Sequence, residues 1–510
     1  MNVVLIEPGS PGLNIYSHVA MGRGVPLLAT VLRDAGHEVR AFVEDVGGRG
    51  RIDWECVRRA DVVGLSAISC TLTRAAELAQ QTRRANPEAA IVFGGPEPTC
   101  APARSFEAGA DFVIRGEAEQ SLLMFLDAVR GWQPGEPPSE ALRQVPGIVW
   151  RQDGDLRFGP PPRQLARTEL DALPFVDMSL VDGAERQTTG LVWRSRGCPE
   201  RCTFCEVHEI WPRYVLRDER ISVQELLRCQ EAGFSSVFLI DDNAAANKPS
   251  FKRFLQGAID RSYARPLTVQ LRADAVFDEG GRLDRELLRL LREAAPVTTV
   301  CIGVESAADE DLAGVQKRTD VDRVAAALTA LRRYGVLVHG MFIAFAHDTL
   351  ETLKRNGGFA RRYVTSLQYL FETPLPGTRA TAEHEATGRV IFDRVEDLRF
   401  LDGMHVAIRP YRTTARQMQE AVIAEYKQFY SRIRIAKAFV EGLVVRHRRL
   451  GAGMRRYLRG LKPSRRIVEW ARMHLQYKFA PCAVLCVGRR RVRAFLRDPE
   501  YTAYLRALQD

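Results

Sequence analysis

The 510-residue chain lacks the marks of several large protein classes. It has no run of 18 apolar residues, and we therefore expect no membrane-spanning helix. Residues 1–8 contain no basic segment, and their apolar run ends early at a proline, so we expect no secretory signal. The run instead predicts a first β-strand. Neither an internal repeat nor a low-complexity tract is present.

Cysteine is too sparse for a disulfide scaffold. Ten cysteines are spread over 510 residues, whereas disulfide-stabilised proteins are short and dense in cysteine. We expect reduced thiols and a cytoplasmic location. An apolar content of 46% and a charged content of 27% are ordinary for a globular protein, and the length allows two or three domains.

Positive charge is concentrated at the C-terminal end. Residues 431–510 hold 20 lysines and arginines against 5 acidic residues, whereas residues 1–430 hold 53 against 58. A basic region attached to a mildly acidic body predicts an anionic partner, either a membrane surface or a nucleic acid.

Three cysteines form a closely spaced motif. Cys198, Cys202 and Cys205 follow the pattern C-x3-C-x2-C. Iron favours thiolate ligands, and three thiolates hold three irons of a cubane cluster while the fourth iron stays open. Two alternatives remain at this point: a zinc site with a distant fourth ligand, or unrelated buried thiols.

Residues 1–130 alternate between strand and helix patterns. The predicted strands are 3–6, 39–43, 61–66, 90–93 and 111–114, and the predicted helices are 26–35, 73–85, 101–108 and 118–129. Buried strands with helices between them predict a doubly wound parallel sheet, which binds ligands at the carboxyl ends of its strands.

Three further regions follow. Residues 131–186 form a predicted linker with a small hairpin around Asp153-Gly154. Residues 187–400 again alternate, with predicted strands 190–194, 236–240, 267–271, 298–303, 337–345 and 366–370. Residues 401–510 predict a basic, helical C-terminal region.

The cysteine loop, with Phe204 before its last cysteine, resembles that of radical S-adenosylmethionine (SAM) enzymes. Residues 94–96, 302–306 and 373–378 are similar to motifs of the members that also bind cobalamin, so the resemblance covers roughly residues 1–410. It implies a flavodoxin-like cobalamin-binding domain over 1–130 and a partial (β/α)6 TIM barrel over 187–400. It also implies that the three cysteines ligate a [4Fe-4S] cluster whose open iron binds SAM.

The same resemblance implies a set of SAM contacts. The acidic pair would hold the amino group, Arg272 the carboxylate and Glu305 the ribose; the residues are Phe204, Asp241, Asp242, Arg272, Glu305 and Ser306. An acidic pair that follows a strand also serves as a helix cap or a turn, and this alternative stays open.

The resemblance also implies cobalamin contacts. These are Ser66, Gly94, Gly95, Thr99 and Glu117. Two departures are visible: the loop at 7–12 lacks the histidine that ligates cobalt in the mutases, and Glu97 stands where many relatives have histidine. A plain nucleotide-binding or response-regulator-like sheet is the alternative for this domain.

The implied activity is cobalamin-dependent methylation of an unactivated carbon of a small-molecule or lipid substrate, with reductive cleavage of SAM. The cluster would take its electron from an external donor of the flavodoxin or ferredoxin type. Alternatives are ring closure, C–C bond formation or oxidation without methyl transfer, a tRNA-modifying enzyme, and a cobalamin sensor. We do not expect a nucleic-acid partner, because aromatic residues are only modestly interleaved with the basic ones.

The basic residues of the tail lie among apolar ones, which predicts peripheral contact with an anionic membrane at its inner face. The residues are Arg446, Arg448, Arg449, Arg455, Arg456, Arg459, Lys462, Arg465 and Arg466, among Phe439, Leu443, Val444, Leu450, Tyr457 and Leu461.

Four other residues attract attention. His339 and His347 lie near predicted strand ends, but a lone histidine is more often structural. Cys482 and Cys486 are one helical turn apart and are expected to be core thiols.

Overall fold

The computed structural model describes residues 1–10, 22, 24–444 and 451–508. A mainly parallel sheet and a fully parallel sheet dominate these ranges, followed by a group of helices. No helix in the described ranges combines the length and the apolar character needed to cross a bilayer.

The first sheet has eight strands in the order β7-β6-β5-β4-β3-β1-β2-β8. Strands β1 to β8 are, in chain order, Asn2–Glu7, Glu38–Val43, Val62–Ser66, Ala90–Gly94, Phe112–Ile114, Ile148–Gln152, Asp155–Phe158 and Val181–Asp182. Its five central strands are parallel and follow the flavodoxin-like order 2-1-3-4-5, as the sequence predicts.

Helices cover both faces of this sheet, which explains the unbroken apolar runs of its central strands. The four core residues of β1, 3–6, are at most 3% exposed. Helices α1 to α9 are Gly24–Asp34, Glu44–Gly47, Trp54–Arg58, Leu72–Ala85, Pro96–Cys100, Pro102–Glu107, Ser121–Ala128, Glu140–Arg143 and Arg167–Ala172.

Residues 131–186 do more than connect two domains, in contrast to the prediction of a linker. The expected hairpin, β6–β7, joins the first sheet beside β5, with Trp150 opposite Phe112. The short strand β8 pairs with β2 at the opposite edge, with Val181 opposite Ala41. This segment therefore covers both edges of the first sheet.

The second sheet is an open barrel of six parallel strands in the order β16-β15-β14-β13-β12-β9. The expected alternation of strand and helix is confirmed. Strands β9 to β16 are Thr189–Val192, Ser195–Arg196, Val215–Leu216, Ser236–Leu239, Leu267–Leu271, Thr298–Glu305, Leu337–Ala344 and Ser366–Phe371, and β10 pairs with β11 separately. Helices α10 to α17 are Val207–Ile210, Glu219–Glu231, Lys248–Asp260, Arg285–Glu293, Asp309–Gly314, Val321–Arg333, Leu350–Tyr363 and Arg379–Ala386.

The C-terminal region is helical, as expected, and closes the open edge of the barrel. Helices α18 to α22 are Ala415–Phe429, Arg432–Val444, Ala452–Arg459, Pro463–Phe495 and Pro499–Ala507. The hydroxyl of Tyr426 accepts from the amide of Tyr369 at 2.6 Å, and the hydroxyl of Tyr430 accepts from the amide of Leu367 at 3.0 Å. Edge strand β16 thereby obtains partners for backbone groups that an open edge leaves unpaired.

Candidate functional site

The carboxyl ends of the two parallel sheets face each other across one cavity of about 590 Å³. The first sheet contributes the ends of β1, β3 and β4, and the barrel contributes residues after β9 and β12. Ligands of both doubly wound sheets and α/β barrels bind at these strand ends. The topology thus gives the two domains one shared site.

The cysteine loop adjoins this cavity, which is lined by Arg196 before the loop and by Ile210 and Trp211 after it. Strands β10 and β11 pair antiparallel and close a loop that carries Cys198, Cys202 and Cys205. Gly197 adopts a left-handed φ of 79°, and a Cβ atom there would lie 2.7 Å from the carbonyl oxygen of Arg213. Only glycine fits this close approach, so the loop geometry is built into the sequence.

The chemistry of the three thiols fits a metal cluster. Burial raises the pKa of Cys198 and Cys202, and it raises the pKa of the Cys205 thiol to about 12. Buried thiols become thiolates only beside compensating positive charge, which iron ions supply.

The spacing of the sulfur atoms does not fit a single zinc ion. Zn–S bonds of about 2.3 Å place thiolates roughly 4 Å apart. Among the described residues, the one group whose ligand atoms all lie within 4.8 Å of one another is Asp311, His347 and Asp348, and it contains none of the three cysteines.

Two basic residues approach the cysteine loop from the neighbouring strand ends. Arg272, after β13, lies 3.4 Å from the carboxylate of Glu200 and also pairs with Asp274. Lys317 pairs with Glu305 at the end of β14. Although burial raises the pKa of Cys202, the charges of Lys317 and Arg272 act in the opposite direction. Arg272 is thus tied to Glu200 of the cysteine loop, and Glu305 is held at the adjacent strand end by Lys317.

The acidic pair after β12 is divided between two tasks. Asp241 is fully buried, and its carboxylate accepts from the amide of Arg194 at 2.6 Å and lies 3.4 Å from the Arg194 guanidinium. Asp242 lines the cavity, and burial together with the Asp241 charge raises the pKa of Asp242 to about 6. Asp241 is thus occupied within the barrel, and Asp242 is the acid of the pair that faces the site.

Of the two other predicted SAM contacts, Ser306 is occupied inside the protein and Phe204 lies nearer the site. The Ser306 hydroxyl is 1% exposed and donates to Asp311 at 2.5 Å, away from the cysteines. The Phe204 ring lies 6.3 Å from that of Phe345 at the end of β15. Phe204 therefore contributes to the barrel mouth, whereas Ser306 belongs to a neighbouring polar network.

All five predicted cobalamin contacts line the cavity: Ser66, Gly94, Gly95, Thr99 and Glu117. At Gly95, where φ is 101°, a Cβ atom would lie 2.7 Å from the carbonyl oxygen of Ala67. The Thr99 hydroxyl accepts from the amide of Gly116 at 2.9 Å and so joins two of the cavity loops. Glu97 does not line the cavity; it is buried and pairs with Arg104 at 3.0 Å.

One unsatisfied acceptor indicates a polar ligand in this cavity. Glu119 lines it, and its Oε2 atom is buried without a hydrogen-bond partner in the described part of the chain. Buried acceptors in native proteins are almost always satisfied. A corrin ring carries carboxamide N–H donors at its rim, so the residues present fit cobalamin.

Sequence reasoning missed three residues of the site. Glu7 and Asp45 line the cavity from β1 and from α2, and Lys317 reaches Glu305 across helix α14. Burial raises the pKa of Glu7 to about 7. The only sequence signal for Glu7 was its place at the end of the first strand, where we noted the absence of a histidine; residues 11 and 12 of that loop lie outside the described residues.

The remaining candidates lie elsewhere. His339 hydrogen-bonds Ser366 at 2.8 Å, and His347 hydrogen-bonds Asp311 at 2.9 Å. Cys482 lies on α21 near the carbonyl oxygen of Ile435. Cys486 is exposed, so the expectation of a core thiol is wrong for this residue.

Two family models match the chain. The B12 binding domain model matches residues 18–125, and the radical SAM superfamily model matches residues 194–357. These ranges contain the first sheet's central strands from β2 onward and the cysteine loop with four of the barrel strands that follow it.

Several curated proteins are similar over most of the chain. An uncharacterized methyltransferase of Pyrococcus horikoshii is 25% identical over 333 residues, which cover 62% of this chain and 68% of that protein. The anaerobic magnesium-protoporphyrin IX monomethyl ester cyclase of Rubrivivax gelatinosus is 24% identical, with coverages of 75% and 67%. The hopanoid C-3 methylase of Methylococcus capsulatus is 25% identical, with coverages of 76% and 72%.

A solved structure shares the fold. The radical SAM methyltransferase TsrM from Kitasatospora setae, with cobalamin and a [4Fe-4S] cluster bound, matches with a TM-score of 0.63 and 15% identity, covering 96% of this chain and 99% of that one. With both family models, the C-x3-C-x2-C loop and the shared cavity, the chain belongs to the radical SAM enzymes that carry a B12-binding domain, and its cofactors are a [4Fe-4S] cluster, SAM and cobalamin.

Proposed function

We propose that the chain transfers a methyl group from SAM, through cobalamin, to an unactivated carbon of a small-molecule or lipid substrate. The observation that carries this proposal is the single cavity in which the predicted cobalamin loops face the two ends of the cysteine loop, Arg196 and Trp211. When bound, the cluster and SAM supply radical chemistry and cobalamin supplies methyl transfer.

The side chains hold and shield these groups. Cys198, Cys202 and Cys205 ligate the cluster, and the Gly94-Gly95 turn receives the cobalamin tail. Asp242 would meet the SAM ammonium group, and Arg272 would meet its carboxylate, because hydrogen bonds between oppositely charged groups are stronger than neutral ones. Glu305, held by Lys317, accepts from the ribose hydroxyls. Asp241 neutralises Arg194 within the barrel, and Ser306 binds Asp311, so neither is assigned a contact with SAM.

Release of S-adenosylhomocysteine tests the reaction class. Methylation consumes one SAM as methyl donor for each product, whereas radical cleavage alone yields no S-adenosylhomocysteine. The anaerobically purified chain is loaded with cobalamin and given reductant, a cellular lipid extract as the source of methyl acceptor, and SAM with a deuterated methyl group. We expect release of S-adenosylhomocysteine in excess over the bound cobalamin. If only 5′-deoxyadenosine forms, and no product gains the labelled methyl group, the methylation proposal fails.

Ring closure or oxidation without methyl transfer is the second candidate. The cyclase of Rubrivivax gelatinosus is about as similar to this chain as the methylases are. The same labelled incubation separates the two, because a cyclase product lacks the deuterated methyl group.

The hopanoid methylase among the relatives favours a lipid substrate, and we infer that helix α19 contacts an anionic membrane. Ile433, Val440 and Val444 are 82%, 56% and 74% exposed. Their spacing of seven and four residues places them on one face of the helix, which points away from the protein. An apolar face of this kind is stabilised by insertion into a lipid surface.

The start of α21 carries a further group of exposed basic and apolar residues. Arg465 and Arg466 are exposed beside Ile467 and Val468, which are 69% and 64% exposed. Two apolar residues of the predicted membrane-binding tail cannot contact a membrane, because Tyr457 and Leu461 pack against a buried cluster around Leu458 and Met473. Arg446, Arg448, Arg449 and Leu450 lie outside the described residues.

Flotation with vesicles tests the membrane contact. The full chain is expected to float with phosphatidylglycerol-containing vesicles at low salt, and the double variant Ile433→Asp/Val444→Asp is expected to stay behind. Met124→Asp, which alters a residue of 45% exposure on another domain, is the matched control. Absence of wild-type flotation, or equal loss in the control, would remove the proposal.

An external electron donor of the flavodoxin or ferredoxin type completes the proposed system, since a [4Fe-4S] cluster must be reduced before it cleaves SAM. Cleavage of SAM that depends on added reduced flavodoxin supports this donor class. Equal cleavage in its absence, with no other reductant present, contradicts it.

A further inference from the structure

One arginine beside the cysteine loop is held by two carboxylates of the first domain. Arg196 stands two residues before Cys198, and its Nη1 atom lies 2.9 Å from Oε1 of Glu117, while its Nη2 atom pairs with Glu119. The guanidinium also lies over the ring of Trp193, with 4.8 Å to the centroid. We call Arg196, Glu117 and Glu119 the cavity clamp.

The clamp is buried, unlike an ordinary surface ion pair. The side chains of Arg196, Glu117 and Glu119 are 12%, 4% and 8% exposed. Exposed pairs contribute little, but removal of one partner from a buried pair leaves an uncompensated charge at high cost. The three residues are therefore fixed relative to one another whenever the two domains are in contact.

Both ends of the clamp lead to functional groups. On the barrel side, Arg196 belongs to strand β10 and is joined through the constrained Gly197 to the first cluster cysteine. On the other side, Glu119 uses Oε1 for Arg196 and presents a buried, unpartnered Oε2 in a residue that lines the cavity. One carboxylate thus contacts the cysteine loop's arginine and is available to a ligand in the cavity.

We propose that the cavity clamp couples the two cofactor sites: a carboxamide N–H of cobalamin donates to Glu119, and Glu119 together with Glu117 positions Arg196 and the cysteine loop. Arg196 is a positioning residue in this arrangement, because it acts on the cluster site through the loop. The cobalamin site is then complete only when the barrel domain supplies Arg196.

Cobalamin affinity tests the coupling without turnover. The chain with its reconstituted cluster is titrated anaerobically with aquocobalamin, followed by absorbance, for wild type, Glu119→Gln, Arg196→Gln and the double variant. Loss of a hydrogen bond to a charged group predicts about tenfold weaker binding or more for Glu119→Gln. Arg196→Gln should weaken binding comparably, and the double variant should be no weaker than the worse single variant, because coupled residues are not additive.

Arg163→Gln is the matched control, because Arg163 pairs with Glu169 and is 54% exposed outside the cavity. Unchanged affinity in Arg196→Gln, strictly additive losses, or an equal loss in the control would overturn the coupling.

Iron content and magnetic interaction provide a second readout. Glu119→Gln lies in the first domain, so the variant should keep the wild-type iron content. The reduced cluster accelerates the spin relaxation of nearby cob(II)alamin, and this acceleration, measured by EPR, should be weaker in Glu119→Gln than in wild type. If Arg196→Gln loses iron, the test rests on Glu119→Gln. A Glu119→Gln variant with normal iron content and a cob(II)alamin relaxation rate equal to that of wild type would overturn the proposal. Since no substrate is used, this result is independent of whether the reaction is methylation.

Discussion

The ammonium group of Lys317 lies 2.5 Å from the carboxylate of Glu305 and also donates to the carbonyl oxygen of Gly303. Both side chains are nearly buried, at 5% and 11% exposure, although twelve residues and helix α14 separate them in the chain. Glu305 itself has a left-handed φ of 62° at a bulge in β14. The lysine therefore holds a carboxylate whose backbone is already constrained.

Replacement of this lysine should be costly. Lys317→Met leaves Glu305 buried without its partner, and we expect a loss of about 3–5 kcal/mol in the free energy of unfolding. Urea denaturation of the chain measures it. The double variant Glu305→Gln/Lys317→Met should recover part of the loss, because no unpaired charge remains; a double variant less stable than Lys317→Met would contradict the pairing. Lys437→Met, at a lysine of 75% exposure, is the control.

The two acids after β12 should respond differently to the same substitution. Asp241→Asn removes the charge that neutralises Arg194, a fully buried residue, and should lower the free energy of unfolding by about 3–5 kcal/mol. Asp242→Asn should not lower it, but should weaken SAM binding. Urea denaturation and equilibrium dialysis with SAM separate the two effects. Equal destabilisation by both substitutions would show that the pair is not divided as described.

Glu7 should make the stability of the cofactor-free chain depend on pH. Burial raises the pKa of Glu7 from 4.5 to about 7; the Gly22 amide opposes this shift and the Asp45 charge adds to it. The folded chain then binds this proton more tightly than the unfolded chain, so stability from this group is full below pH 4.5 and is lost as the pH rises to about 7.

Glu7→Gln removes that dependence. The variant should match wild type near pH 4.5 and exceed it above pH 7 by up to about 3 kcal/mol in urea denaturation. Glu88→Gln, an exposed acid of the same domain, should leave the difference between the two pH values as in wild type. A Glu7→Gln variant that is less stable than wild type at pH 8 would refute the assignment.

Gly95 should tolerate alanine poorly. A Cβ atom there meets the Ala67 carbonyl oxygen at 2.7 Å in addition to the cost of a positive φ. Gly36 has a similar φ of 86° with open space around it, so Gly36→Ala reports the cost of φ alone, about 1 kcal/mol. Gly95→Ala should lose more than this in thermal unfolding and should also retain less cobalamin. Equal losses in both variants would argue against the close approach.

The periodic patterns of the sequence were sufficient for both sheets. Five strands of the first sheet and six of the barrel begin and end within two residues of the predicted bounds, because buried parallel strands are continuous apolar runs between helices. Strand β8 was not predicted, since two residues carry no period and its pairing with β2 depends on a contact across 140 residues.

The site shows the same limit. Motif spacing located the cysteines and the residues at the strand ends, but it did not show where each side chain points. Asp241 and Asp242 are adjacent in the sequence, and only the fold shows that Asp241 faces Arg194 and Asp242 faces the cavity. Lys317 was missed because its partner Glu305 lies on a different element, twelve positions earlier in the chain, and no periodic pattern records that contact.

The short strands at the two edges of the first sheet determine where the cobalamin-binding domain can be separated from the rest of the chain. Hairpin β6–β7 and strand β8 both come from residues after 130. A fragment ending at residue 130 would therefore expose β5 and β2 as unpaired edge strands, one on each side of the sheet. Such edges recruit further strands and lead to aggregation. The cobalamin module is therefore a poor candidate for isolation or exchange unless the cut is placed beyond residue 182.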